Sequence, residues 1–145
     1  MKELYQSDEE IYSLVNEFEK CQINPHHFNH HKHMTVAMCY LKDFSESETV
    51  QKIRDGLIGL LKSHGAPEEK IRTLCNETIT LFWVKLLGHI TESRNKDEPL
   101  YMKTNWAIEN FGSMEHLFKH YSRDLVLSNQ AKQNWMEPDL SPLPF

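Results

Sequence analysis

The sequence predicts an all-α fold: a single-domain helical bundle of about five to seven helices that ends in an extended, proline-rich C-terminal strap. Apolar residues recur at helical spacing along most of the chain, whereas strictly alternating apolar and polar residues are scarce. Three prolines close to the C-terminus exclude a helix there. Since 145 residues suit one hydrophobic core, we expect one domain that spans residues 1–145.

The first three predicted helices are marked by residues that favour helix ends. Ser45 followed by Glu48 is a capping-box pattern, and Gly65 is suited to the position just after a helix C-terminus. Similar start signals precede the two earlier periodic runs. We therefore predict helices over about residues 8–21, 29–43 and 45–64.

A fourth helix is predicted to begin at Pro67 and to continue to about Ile90, because proline is favoured in the first turn. From Leu74 onward this segment is apolar nearly all round, which predicts a central, buried helix. Further helices are predicted from Pro99 to Phe111, after Ser113, and over about residues 128–135. The strap would cover residues 138–145.

The charge and hydropathy of the chain disfavour two classes of partner. A net charge of −5 gives no overall attraction to nucleic acid or to anionic lipid. No stretch is long and apolar enough for a transmembrane helix, and the acidic N-terminus does not resemble a signal peptide. We expect a cytoplasmic protein without nucleic-acid or membrane partners; its oligomeric state does not follow from the sequence.

A histidine-rich segment begins the second predicted helix. Five of the nine histidines lie within eight residues: His26, His27, His30, His31 and His33. In a helix that starts near Asn29, His30 and His33 lie on the same face as Met34 and Ala37. This spacing predicts that the imidazoles of His30 and His33 point toward the interior, one turn apart.

Glu77 is an isolated carboxylate in the fourth predicted helix, and an ionised carboxylate in apolar surroundings needs a partner. Together, His30, His33 and Glu77 are two histidines and one carboxylate, a ligand set that binds iron or zinc and leaves coordination positions open. The sharper hypothesis is therefore a divalent transition-metal site between the second and fourth predicted helices. Metal-activated water or dioxygen chemistry on a small molecule would be its natural use.

The alternative hypothesis is that these side chains are structural and that no cofactor is bound. Glu77 would then pair with Lys85, Arg72 or His33, and the histidines would be hydrogen-bonded core residues. The protein would be a non-catalytic helical module that binds a protein partner or a small hydrophobic ligand. The sequence leaves open whether the protein is an enzyme.

Three segments of the chain resemble an uncharacterised family of small bacterial helical proteins. That family has an aromatic-x-His-x-x-His-Leu segment, a His-Glu-Thr-x-Thr segment and a Pro-Asp-Leu-x-Pro-Leu-Pro tail. The matching parts of this chain are residues 28–37, 76–80 and 121–144.

The resemblance places His30, His33 and Glu77 at the family's polar motif positions. It implies neither an activity nor a cofactor. Asn76 stands where the pattern usually has histidine, which implies a weaker or altered site. His116 and His120 form a second pair at i, i+4 and are reserve candidates, which would complete or compete for such a site if the sixth predicted helix lay against the second. A looser resemblance, to helical bundles of the DinB type that hold metal through three histidines, would require His116 or His120 beside His30 or His33.

Overall fold

The computed structural model describes residues 4–145, and this part of the chain is all-α, as predicted, without any strand. The first three residues of the predicted domain lie outside the described residues. The α-helices are α1 (Asp8–Glu19), α2 (His30–Asp43), α3 (Glu46–Ser63), α4 (Glu68–Leu74), α5 (Glu77–Ser93), α6 (Leu100–Phe111), α7 (Glu115–Phe118), α8 (Arg123–Val126) and α9 (Asn129–Gln133), with a short 3₁₀ helix at Pro25–His27.

The described residues contain more helices than the five to seven predicted, chiefly because helices break where the periodic pattern continues. The prediction of one helix from Pro67 to Ile90 was wrong. Cys75 and Asn76 are extended, and the Asn76 side chain accepts a hydrogen bond from the backbone N–H of Ile79, so a new helix begins. The segment after α6 adds three helices of only four or five residues each.

The ends of α3 confirm the boundaries predicted from its capping residues. The Ser45 hydroxyl accepts from the Glu48 backbone N–H, and the Glu48 carboxylate accepts from the Ser45 N–H. At the other end Gly65 has φ +83°, a conformation that glycine adopts without strain. The next N–H, of Ala66, reaches back to the carbonyl of Leu61, which completes a Schellman motif.

Helices α2 and α5 form the centre of the bundle. Helix α2 packs against α1, α3, α5 and α6, and α5 packs against α2, α3, α6 and α9. All residues from Met34 to Tyr40 are buried, so α2 is enclosed over two turns. Helix α5 buries Phe82, Trp83 and Leu87 among others, as expected from its apolar sequence.

Residues 134–145 contain no helix and are held against the turn between α7 and α8. The carboxylate of Asp139 accepts from the backbone N–H and the hydroxyl of Ser122, at 2.8 and 2.6 Å. The Leu140 N–H donates to the carbonyl of His120 at 2.9 Å, and the Tyr121 hydroxyl donates to the carbonyl of Met136 at 2.6 Å. These bonds tie the C-terminal segment to the bundle.

None of the helices within residues 4–145 has both the length and the apolar character needed to cross a bilayer.

The contact between α1 and α3 depends on the absence of a side chain at Gly56. A Cβ atom at this position would overlap the ring of Phe18, which is fully buried. We expect Gly56→Ala to lower the free energy of unfolding by about 1–3 kcal/mol, measured by urea denaturation.

Gly59→Ala is the matched control, because its Cβ would meet only Cys21 Sγ, at 3.4 Å. The control should be neutral or stabilising by up to about 1 kcal/mol, through helix propensity. Equal stability of the two variants would contradict the proposed close packing.

Candidate functional site

The N-terminus of α2 sets the position of the two candidate histidines. The side-chain oxygen of Asn29 accepts from the backbone N–H of Lys32 at 3.0 Å, and its carbonyl accepts from the N–H of His33 at 3.1 Å. Asn29 therefore caps the helix, and His30 is the first helical residue. His30 and His33 lie one turn apart, as the sequence predicts.

Both histidines line a cavity of 290 Å³ between α2, α3 and α5. Asn76, Thr80 and Trp83 of the α5 segment contribute to the opposite wall. The remaining lining is apolar and includes Phe28, Met34, Ile53, Leu57, Ile79 and Leu87. We call this space the inner cavity.

Two residues of the inner cavity carry buried polar atoms without a hydrogen-bond partner among residues 4–145: His30, through Nε2, and Trp83, through Nε1. Their rings are in edge-to-face contact, with centroids 4.4 Å apart. The other two such atoms, the hydroxyls of Thr49 and Thr104, do not line the cavity. A buried polar group left unpaired costs about 1–3 kcal/mol, so these two atoms are candidates to bind a polar group that enters the cavity.

The two histidines are uncharged at neutral pH. Burial, with a smaller contribution from a neighbouring histidine, lowers the pKa of His30 and of His33 from 6.5 to about 4. His33 also packs on Phe28, with ring centroids 4.2 Å apart. A neutral imidazole has one N–H donor and one acceptor nitrogen, so each ring can donate and accept.

Glu77 is bound by a partner that the sequence analysis did not predict. Its carboxylate forms an ion pair with Arg54 of α3, rather than with Lys85, Arg72 or His33. This pair lines a separate cavity of 240 Å³, which adjoins the inner cavity. Glu77 is also the first residue of α5, where the positive end of the helix dipole favours a carboxylate.

The predicted metal ligands are not gathered at one point. His30 and His33 share the inner cavity, whereas Glu77 lies in the adjoining one with Arg54. Within residues 4–145, no three histidine, cysteine or acidic side chains are grouped so that they could hold a metal ion. This arrangement does not offer a ready three-ligand site.

Asn76, which stands where the bacterial family usually has histidine, has a structural role. Its side-chain oxygen accepts from the N–H of Ile79 at 3.0 Å, and its amide nitrogen donates to the carbonyl of Val126 at 2.7 Å. It lines both the inner cavity and the cavity of the ion pair. Both polar ends of the amide are thus used to begin α5 and to attach α8.

The reserve candidates His116 and His120 lie away from the inner cavity. His116 packs against Phe111, with ring centroids 5.0 Å apart, and burial lowers its pKa. His120 Nδ1 is 3.0 Å from the carbonyl of Ser141, so His120 helps to hold the C-terminal segment.

Two residues that define the site were not singled out from the sequence. Trp83 belongs to an apolar run and is typical of a core residue; nothing in its sequence context reveals that its N–H is unpaired. Arg54 lies on the polar side of a regular amphipathic helix, where an arginine is ordinary. The sequence offered no signal for the ion pair, because Arg54 lies in α3 and Glu77 begins α5, and their contact depends on how these two helices pack.

Comparisons with protein-family models, with curated proteins and with solved structures give no match to this chain. The resemblance of residues 28–37, 76–80 and 121–144 to a bacterial family therefore stays a prediction.

The low pKa values of His30 and His33 predict a loss of stability in mild acid. In the unfolded chain each histidine is protonated below about pH 6.5, whereas in the folded protein His30 and His33 are protonated only below about pH 4. Between these pH values the unfolded state binds more protons than the folded state. The free energy of unfolding should therefore fall as the pH decreases from 6.5 to 4, by up to about 1.4 kcal/mol per pH unit for each histidine. Urea denaturation at a series of pH values measures this dependence.

His33→Leu should make this pH dependence shallower than in the wild type, because one of the buried histidines with a lowered pKa is removed. His27→Gln is the control, since His27 is exposed and lines neither of the cavities that His33 lines. If the free energy of unfolding of His33→Leu fell with pH as steeply as that of the wild type, the pKa of His33 would be the same in the folded and unfolded states. This result would contradict the prediction.

Proposed function

We propose that this protein binds a small, mainly apolar organic molecule that carries a hydroxyl or carbonyl group, in the inner cavity. The observation that carries the proposal is the pair of buried, unpaired polar atoms, His30 Nε2 and Trp83 Nε1. Apolar pockets with a few convergent polar groups are the usual form of small-molecule sites. A volume of 290 Å³ is suited to a ligand at the small end of that range.

The chemistry of the two atoms indicates which ligand group they would bind. The indole nitrogen of Trp83 can only donate, whereas His30 Nε2 donates or accepts according to the tautomer of the neutral ring. A hydroxyl group can accept a hydrogen bond from Trp83 Nε1 and donate one to His30 Nε2. A carbonyl can accept from both. Either group would satisfy the polar atoms that are otherwise left unpaired in an apolar wall.

A matched pair of probes tests the proposal: 1-naphthol and 1-methylnaphthalene, which have the same ring system and differ in the hydroxyl. Isothermal titration calorimetry should show about tenfold tighter binding of 1-naphthol, since a net hydrogen bond contributes about 0.5–1.5 kcal/mol. In Trp83→Phe this preference should shrink to about threefold or less, because the donor is lost.

Trp106→Phe is the control variant, because Trp106 is partly exposed and does not line the inner cavity. It should keep the full preference for 1-naphthol. Equal affinities of the wild type for the two probes, or no binding of either, would refute the proposed site.

The second candidate function is the binding of a divalent metal ion, zinc or iron. Its ligands would be His30, His33 and Glu77. Two imidazoles in one cavity wall, both uncharged at neutral pH, support it, because a neutral imidazole is the form that binds metal. Glu77 would first have to exchange Arg54 for the metal. The arginine would thus compete with the cation for the carboxylate.

This competition predicts that Arg54→Met binds Zn²⁺ at least about tenfold more tightly than the wild type, in a titration against a chromophoric chelator. His33→Ala in the same background should remove the gain. Lys85→Met is the control, because Lys85 faces Glu46 rather than Glu77. If neither the wild type nor Arg54→Met takes up Zn²⁺ at micromolar concentration, the metal hypothesis is wrong.

A further inference from the structure

A second, larger space adjoins the inner cavity and extends the proposed ligand site. This outer cavity has a volume of 740 Å³ and lies between the start of α2, the C-terminal part of α3 and α4. It shares four lining residues with the inner cavity: Phe28, His33, Leu57 and Leu74. The two cavities are therefore neighbours with these side chains as a common wall, and an elongated molecule that occupies both would pass along them.

The charge lining the outer cavity differs in sign from that of the whole protein. No aspartate or glutamate lines it, although the net charge of the chain is −5. Lys70 contributes an ammonium group that has no ion pair within residues 4–145. His26, His33 and His64 are the other titratable lining residues. A cavity with a lysine ammonium group and no acid favours an anionic ligand group.

Three carbonyl groups near the end of α3, those of Leu60, Leu61 and Lys62, have hydrogen-bond partners within the protein. The carbonyls of Leu61 and Lys62 already accept from the backbone N–H groups that follow the helix. His64 Nδ1 lies 2.9 Å from the carbonyl of Leu60, to which it can donate. The remaining wall is mainly aliphatic, with Leu57, Leu60 and Leu61 among its residues. The outer cavity thus combines a cationic group with an apolar surface.

We propose, resting on the function proposed above, that the ligand is a linear saturated hydroxy acid. Its carboxylate lies beside Lys70, its hydrocarbon chain passes Phe28 and Leu57, and its hydroxyl binds His30 Nε2 and Trp83 Nε1. Each part of this molecule matches a different part of the site: the acid-free outer cavity, the shared apolar wall and the unpaired polar atoms. A linear ligand with a neutral or cationic group in place of the carboxylate would match only two of these three parts of the site.

Four probes measure how the carboxylate, the hydroxyl group and the length of the hydrocarbon chain contribute to binding, by isothermal titration calorimetry. They are 12-hydroxydodecanoate, its methyl ester, dodecanoate and 10-hydroxydecanoate. The first should bind most tightly. Loss of the negative charge in the ester should weaken binding by about threefold, and loss of the hydroxyl in dodecanoate by about three- to tenfold. Shortening the chain by two methylenes should weaken binding by about tenfold or more, as expected for buried CH₂ groups.

Lys70→Gln tests the position of the carboxylate. Lys70 is exposed, so its substitution should not affect folding, and it should abolish the preference for the acid over the ester. The same preference in the wild type should fall when NaCl is raised from about 0.05 to about 0.5 M. Lys62→Gln is the matched control, because this exposed lysine of α3 lines neither cavity. It should bind all four probes as the wild type does.

The outcomes distinguish this inference from the proposed function. Equal binding of acid and ester, or an unchanged preference in Lys70→Gln, would overturn the hydroxy-acid inference; the preference for 1-naphthol would still support the inner site. Failure of the hydroxyl to improve binding in both probe sets would refute the two proposals together. Tighter binding of the ester than of the acid would show that the outer cavity selects against anions.

Discussion

The amide side chain of Asn76 determines how the second half of the bundle meets the first. One end of the amide accepts from the N–H of Ile79, which starts α5, and the other end donates to the carbonyl of Val126, which fixes α8. Because Cys75 and Asn76 are extended, α4 does not continue into α5. The break leaves α4 free to form a wall of the outer cavity, while α5 forms a wall of the inner one.

The wall of the inner cavity contains two polar atoms, His30 Nε2 and Trp83 Nε1, that have no hydrogen-bond partner within residues 4–145. Helices α2 and α5 bury long runs of apolar side chains against each other, which supplies the stability. An unpaired indole N–H and an unpaired imidazole nitrogen reduce that stability by an amount comparable to one or two core substitutions. A ligand that pairs them restores this free energy only in the folded state, so binding and stability are coupled.

The sequence predicts most of the helices because their signals are local. The capping box at Ser45 and the glycine after α3 both depend on residues within one turn, and both occur in the structure as expected. The division between α4 and α5 could not be predicted in the same way. An apolar periodic run continues across it, and the bond from Asn76 to Val126 joins residues 50 positions apart.

The candidate site was predictable in part, for the same physical reason. Helical spacing alone places His30 and His33 on one wall, since a cap at Asn29 fixes where the helix begins. Glu77 was expected near them, but its partner depends on the rotation of α3 against α5, which brings Arg54 to it. That contact is tertiary, and no spacing within either helix encodes it.

The ion pair of Glu77 with Arg54 accounts for the character of the inner cavity. No aspartate or glutamate lines that cavity, and burial therefore acts on His30 and His33 without an opposing carboxylate. A free carboxylate beside the imidazoles would favour their protonation, and an imidazolium offers two donors and no acceptor. The ion pair with Arg54 places the Glu77 carboxylate in the next cavity, and the neutral rings of the inner cavity can each donate to or accept from a hydroxyl group.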